Sequence, residues 1–230
     1  MITYEPIKRP TFFKSLNELK IFYDMTKSAV KRFFIKYQPA KPQRKIILLP
    51  GFGMGDNSMN LLKKRLNQCG HQANTWGLGR NHGKVTPLLT DFGQRLAKAF
   101  EDEKRPIDLI GWSLGGYIAR EAARDNPNAV RQVITLAGPA IGGPKYTLCG
   151  RFYELSGWDL DKIESAVKQR FDIPVQVPII SMYTRSDGIV SWEACFDTWS
   201  PNVRHVEVNS SHMGMPFSMD VFQCIAENLK

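Results

Sequence analysis

Residues 107–116 read Ile107-Asp108-Leu109-Ile110-Gly111-Trp112-Ser113-Leu114-Gly115-Gly116. An apolar strand, Ile107–Ile110, runs into a glycine-flanked turn, and a helix over Leu114–Asp125 follows, stopped by Asn126-Pro127. This strand–turn–helix context is the one in which a G-x-S-x-G pattern lifts a serine hydroxyl onto a strained turn. Side chains two positions either side of Ser113 would collide, so small residues are required at 111 and 115. The helix start also directs backbone N–H groups and its positive dipole end at any oxyanion developing beside the serine. A glycine-rich turn with a bystander serine is the bland alternative, and the flanking strand and helix weigh against it.

Outward from this turn, strands and helices alternate. Strands are expected at Ile46–Leu49, Gln72–Trp76, Val130–Leu136, Val177–Tyr183 and Val203–Val208. Helices are expected from Asp56 or Asn57 to Cys69, from Thr86 to Lys104, and from Pro216 to Leu229. Short apolar strands separated by helices imply an α/β fold, with a mostly parallel central sheet and helices on both faces. Residues 45–230 form this body. The alternation breaks over 140–178, where aromatics (Tyr146, Phe152, Tyr153, Trp158) precede a helix over Asp159–Phe171. The segment reads as a small cap insertion over a pocket; one crossover with a long lead-in is the alternative.

A serine hydroxyl needs a base, and the base an orienting acid. Of the four histidines, His212 follows the last strand, where a loop reaches the carboxyl edge of the sheet. His71 opens a strand, His205 lies within one, and His82, in a glycine-rich loop, is a distant second. Asp187 follows the strand ending at Tyr183 and gives the order Ser…Asp…His. Two backbone donors would complete the site: the N–H of Leu114 and that of Phe52, in the loop Leu49-Pro50-Gly51-Phe52-Gly53-Met54-Gly55. That loop is spaced G-x-G-x-G, not as the dinucleotide fingerprint G-x-G-x-x-G, and no ribose-binding acid follows. Neither a metal site nor a cofactor is expected.

Hydrophobic residues make up 43% of the 230-residue chain and charged residues 23%, which excludes a wholly disordered, collagen-like or coiled-coil protein. No apolar run approaches the ~20 residues a membrane span needs. The opening MITYEPIKRP lacks the order of a secretory signal, so a cytoplasmic protein is expected. The four cysteines are scattered, as free thiols would be. The net charge of +9 is concentrated in an arm and linker, residues 1–44: counted through 45, the segment carries 11 Lys/Arg against 3 Asp/Glu, and the remainder 20 against 19. Between Thr11 and Tyr37, Phe12, Leu16, Leu19, Tyr23, Val30 and Phe33 recur at helical spacing. Ser15 and Glu18 have capping-box spacing, which starts the regular helix near Leu16; Gln38–Lys45 reads as a linker. The apolar stripe is expected to pack on the body or on a second copy. The sharper alternatives are a peripheral contact of residues 11–37 with the inner membrane face or with an acidic protein. Nucleic acid is not expected as a partner.

The blocks LPGFG (49–53), WGLGRN (76–81), IGWSLGG (110–116), QVITLAGP (132–139), SDGIV (186–190) and SSHMG (210–214) recur in order. On these the body resembles the α/β-hydrolase superfamily and, within it, a group of small bacterial serine hydrolases of esterase- or lipase-like type. The resemblance implies the α/β-hydrolase fold, a nucleophile, acid and base on Ser113, Asp187 and His212, and oxyanion donors on Phe52 and Leu114. Pro50-Gly51 replaces the group's usual His-Gly, which leaves a backbone donor intact. GWSLGG is similar, too, to the esterases that act on pimeloyl-carrier-protein methyl esters, whose acidic carrier would suit a basic arm. The expected activity is hydrolysis of a carboxylic ester, of small-molecule or lipid type, through an acyl-enzyme on Ser113. An acyltransferase or thioesterase would use the same residues, and a non-catalytic binding protein on this fold is the remaining alternative.

Overall fold

Side chains of Ile46-Ile47-Leu48-Leu49 alternate across the sheet: Ile46 and Leu48 enter one core, Ile47 and Leu49 the other. A strand buried on both faces belongs inside a covered parallel sheet. The computed structural model, which describes residues 7–31 and 42–229, places this strand second in a sheet of six. Helix α1 (Phe12–Ser15), a 3₁₀ turn and α2 (Lys20–Lys31) precede β1 (Lys45–Leu49). Then come α3 (Asn60–Gln68), β2 (Gln72–Thr75), α4 (Val85–Glu103), β3 (Ile107–Trp112), α5 (Leu114–Asp125) and β4 (Val130–Leu136). The chain continues through α6 (Gly150–Leu155), α7 (Leu160–Gln169), β5 (Ile179–Tyr183), β6 (Val203–Glu207) and α8 (Met219–Asn228).

The strand order is β2-β1-β3-β4-β5-β6, and every neighbouring pair is parallel. Leu62 and Leu66 of α3 and Phe222 and Ile225 of α8 cover one face. Leu88, Phe92 and Leu96 of α4 and Ile118 and Ala122 of α5 cover the other. From β1 the chain moves outward to β2 and then returns to β3 on the other side. Loops at the carboxyl ends of β1 and β3 therefore diverge, and such a reversal opens a crevice.

The expected elements are present, with informative shifts at their ends. Strand β3 runs on through Gly111 and Trp112, expected to be turn, because they stay in register with Thr135 and Leu136 of β4. Helix α8 begins at Met219, where the Ser218 hydroxyl caps the N–H of Val221 at 3.4 Å. Between β4 and β5 lie a 3₁₀ turn at Gly143–Tyr146, α6 and α7, and Thr147 bridges to Val190.

The arm corrects two expectations. Its apolar stripe does not pack on the body: Phe12, Leu16, Leu19, Tyr23 and Val30 are all exposed. The narrow polar face turns inward instead, because Glu18, Asp24 and Ser28 meet complementary groups in the loop regions 188 and 210–217. The capping box is not formed: Ser15 Oγ donates to the Phe12 carbonyl, and Glu18 is engaged elsewhere. Of the helix expected through Tyr37 and the linker after it, residues 32–41 lie outside the described residues.

Candidate active site

Ser113 has φ 53° and ψ −123°, a left-handed backbone that a non-glycine residue rarely adopts. Such strain costs on the order of 1–3 kcal/mol and persists only where the surroundings enforce it. The enforcement is visible. The Ser113 amide donates to the Leu136 carbonyl at 2.8 Å, and the Ser113 carbonyl accepts from Gly116 N–H, also at 2.8 Å, as α5 begins. A Cβ on Gly111 would overlap the backbone of Gly115 and Gly116, and one on Gly115 would overlap the Leu49 and Pro50 carbonyls. The turn is thus clamped between β1 and α5.

The loop after β1 lies against the serine: a Cβ on Gly51 would sit 3.3 Å from that of Ser113. Among the described residues, neither Phe52 N–H nor Leu114 N–H has an acceptor. Buried Asn81 holds this loop open. Its side chain donates to the Pro50 carbonyl at 2.9 Å, its carbonyl accepts from Gly53 N–H at 2.7 Å, and its own N–H donates to Met54 at 2.9 Å. Asn81 precedes His82 in the glycine-rich loop, and only its place in the WGLGRN block hints at it.

Asp187 follows β5 and His212 follows β6, at the same sheet edge. Both are buried, and His212 Nδ1 lies 2.8 Å from Asp187 Oδ2. The other oxygen, Oδ1, accepts from the N–H groups of Ile189 at 2.8 Å and Val190 at 2.7 Å. An ionised carboxylate only accepts, so Nδ1 carries the proton and Nε2 is left as the basic nitrogen. Trp112, the residue before the serine, donates from Nε1 to the His212 carbonyl at 3.1 Å, with ring centroids 5.9 Å apart. Burial disfavours the imidazolium, but the Asp187 charge and hydrogen bond, with Glu18 adding, outweigh it and raise the His212 pKa.

A cavity of about 860 Å³ opens at Ser113. Phe52, Leu114 and Tyr117 line it together with Tyr153, Trp158 and Ile163 from the segment between β4 and β5. Phe52 also packs on Phe152 and Tyr153, with centroids 5.7 and 5.8 Å apart, so the loop after β1 and α6 hold each other.

No family model matches the chain. It is similar to a pimeloyl-[acyl-carrier protein] methyl ester esterase of Proteus mirabilis (strain HI4320), 35% identical over 94 residues, which are 40% of this chain and 35% of that protein. The protein of the same description from Aliivibrio fischeri (strain ATCC 700601 / ES114) is 30% identical over 93 residues, 40% of this chain and 35% of that one. The chain thus spans about a third of the length of the curated relatives it matches. Among solved structures, a monoacylglycerol lipase of Paleococcus ferrophilus superposes with a TM-score of 0.59 at 15% identity, over 85% of this chain and 98% of that one. The carboxylesterase CesB of Bacillus subtilis gives 0.57 at 13% identity, over 93% and 97%.

The chain has the α/β-hydrolase fold. On this α/β-hydrolase fold the other three histidines are committed elsewhere. His205 Nε2 accepts from Asp197 N–H at 3.0 Å with its ring stacked on Phe196, and His71 Nδ1 accepts from Arg44 N–H at 3.3 Å. His82 Nδ1 accepts from Lys84 N–H at 3.2 Å, while its neighbours Gly83 and Lys84 line the cavity. Asp108 is buried on β3 beside Arg44 and Arg131, at 3.7 and 3.8 Å.

Proposed function

We propose that this α/β hydrolase cleaves carboxylic esters through a covalent acyl-enzyme on Ser113. The buried 2.8 Å Asp187–His212 contact, at the sheet edge that carries the strained serine, supports this reading most directly. Ser113 Oγ attacks the ester carbonyl while His212 Nε2 takes its proton. The tetrahedral oxyanion meets the N–H groups of Phe52 and Leu114. Collapse expels the alcohol, which leaves with the proton from His212. Water then attacks the acyl-serine, again giving its proton to His212; collapse breaks the bond to Ser113 Oγ, which takes that proton back, and the acid departs. Asp187 holds the imidazole tautomer throughout and stabilises the imidazolium. The aromatic and aliphatic cavity wall suits an apolar acyl chain.

The test is hydrolysis of p-nitrophenyl esters from acetyl to palmitoyl, with Ser113→Ala alongside. Loss of at least 1,000-fold in kcat in a folded variant is expected, on the order of what losing a nucleophile costs. Equal hydrolysis by the variant would sink the proposal. A carrier-protein ester is the second reading, favoured by the substrate for which the relatives matched at 28–35% identity are named and by the lysines Lys84 and Lys162 on the cavity lining. Faster cleavage of a carrier-bound methyl ester than of the free one would select it.

The arm belongs to this reading as the element that brings the hydrolase to a lipid surface. Its described acids, Glu18 and Asp24, both face inward, so the outer face presents Phe12, Phe13, Leu19 and Phe22 with Lys14 and no carboxylate. An apolar face with a basic margin suits an anionic bilayer. No helix among the described residues is long and apolar enough to cross a membrane. Co-flotation with phosphatidylglycerol vesicles is expected, and its loss in a Phe12→Ser/Phe22→Ser double variant. A concentration-dependent dimer with no flotation would assign the face to a second copy instead.

A further inference from the structure

Three backbone N–H groups beside Asp187 and His212 end on one side chain of the arm. Glu18 Oε1 accepts from Gly188 at 2.8 Å and from His212 at 3.3 Å, and Oε2 accepts from Met213 at 2.8 Å. Gly188 directly follows Asp187, so a single carboxylate ties the acid loop to the base loop. Asp24, six positions on and buried, secures the base loop a second time: its Oδ2 accepts from Ser210 Oγ at 2.9 Å and from Ser211 N–H at 3.3 Å. The approach is close enough to demand glycine in both loops. A Cβ on Gly188 would overlap the Lys14 carbonyl, and one on Gly214 would overlap the Asp24 carboxylate.

Loops are the most mobile parts of a fold, whereas catalysis needs its groups held to a fraction of an ångström. Hydrogen bonds to an ionised acceptor are about twice as strong as neutral ones. A buried N–H left without a partner is costly, so removing Glu18 frees both loops to seek other arrangements. We propose that Glu18 is a positioning residue for the Asp187–His212 pair, making the arm a working part of the active site. This rests on the ester-hydrolase reading of that site. Glu18 touches no reacting atom; it acts through the backbone of His212 and Gly188 and through its charge.

The charged groups around His212 are few. Asp187 faces the ring from the acid loop and Glu18 from the arm. Asp24 stands behind Ser210 and Ser211, and Lys20 donates to Asn209 at 2.5 Å. Glu18 and Asp187 both favour the imidazolium. Neutralising Glu18 therefore makes His212 easier to deprotonate.

The experiment compares the full-length wild type with Glu18→Gln, Glu18→Ala, Ser113→Ala and, as a control at an exposed neighbouring position of the arm, Asn17→Ala. Ester kinetics and the rate of Ser113 labelling by a fluorophosphonate are followed against pH. In Glu18→Ala, kcat is expected to fall about 10- to 100-fold with KM within about twofold, as for other groups that orient a catalytic side chain. Glu18→Gln keeps an acceptor oxygen and loses the charge. It is expected to recover much of kcat while the acid limb of both profiles moves to lower pH. Asn17→Ala is expected to match wild type. If Glu18→Ala fails to fold, the limb in Glu18→Gln decides. A limb and kcat unchanged in the Glu18 variants, with activity still dependent on Ser113, overturn the role of Glu18 alone. Activity surviving in Ser113→Ala overturns the ester-hydrolase reading and this inference with it.

Discussion

His212 is the residue whose surroundings make the sharpest demand on solution behaviour. Burial pulls its pKa down, and the carboxylates of Asp187 and Glu18 more than compensate, so the net shift is upward. A general base must be neutral to accept a proton. The kcat/KM profile of the free enzyme is therefore expected to lose activity as pH falls through a value above the ordinary histidine figure of about 6.5. A limb at or below that figure, measured with a short-chain p-nitrophenyl ester, would contradict the arrangement. The grouping of Asp187 and His212 at the sheet edge that carries Ser113 was legible because the proposed chemistry needs particular residue types after particular strands. Glu18 was not. Its partners are backbone N–H groups 170 to 195 positions away, which leave no mark on side-chain identity, and its spacing from Ser15 suggested a local cap instead. Asn81 was hidden for the same reason, since it works on carbonyls and N–H groups of another loop.

At the level of elements, periodicity located the strands and helices of the body well, because nearly every one is buried on a face set by its own repeat. It failed at the arm in an instructive way. An amphipathic repeat says that a helix has two faces, not which one the body will take. Here carboxylates and a hydroxyl found partners in the loops, and the aromatics were left outside. Exposed aromatics contribute little to folding, so Phe12→Ala and Phe22→Ala are expected to shift unfolding free energy by no more than about 0.5 kcal/mol. Phe92, fully buried between α4 and the sheet, is expected to cost about 3–5 kcal/mol when cut to alanine. Urea titrations of the three variants check both values. A large loss at Phe12 or Phe22 would mean that the outer face is buried in solution.

For the molecule as a whole, the sheet reversal between β1 and β3 sets where the site lies, and a buried ion pair helps to tie the far side of the body together. Arg120 of α5 meets Asp197 at 2.6 Å with both side chains almost fully buried, and Asp197 also caps Trp199 and Ser200 through their N–H groups. Removing one partner strands the other charge in the interior. Asp197→Ala is therefore expected to destabilise the protein by about 3–5 kcal/mol, read as a lower urea midpoint. Replacing the pair together with apolar residues should cost far less. This pair was not foreseen, since nothing local in the sequence distinguishes Asp197 from a surface aspartate.

The position of Glu18 along the chain has a bearing on biosynthesis. A polypeptide emerges from the ribosome N-terminus first, so the clamp residue is made 170 residues before Gly188 and 194 before His212. During that interval its carboxylate has neither loop to hold, and the aromatic side of the arm is already in solvent, open to chaperones or to a nearby bilayer. The loop that carries His212, translated after the Asp187 loop, is also one that fastens the arm. Assembly of the candidate site is thereby deferred until nearly all of the described chain is available, and a nascent chain stalled before residue 212 has the arm without the His212 loop that Glu18 bonds.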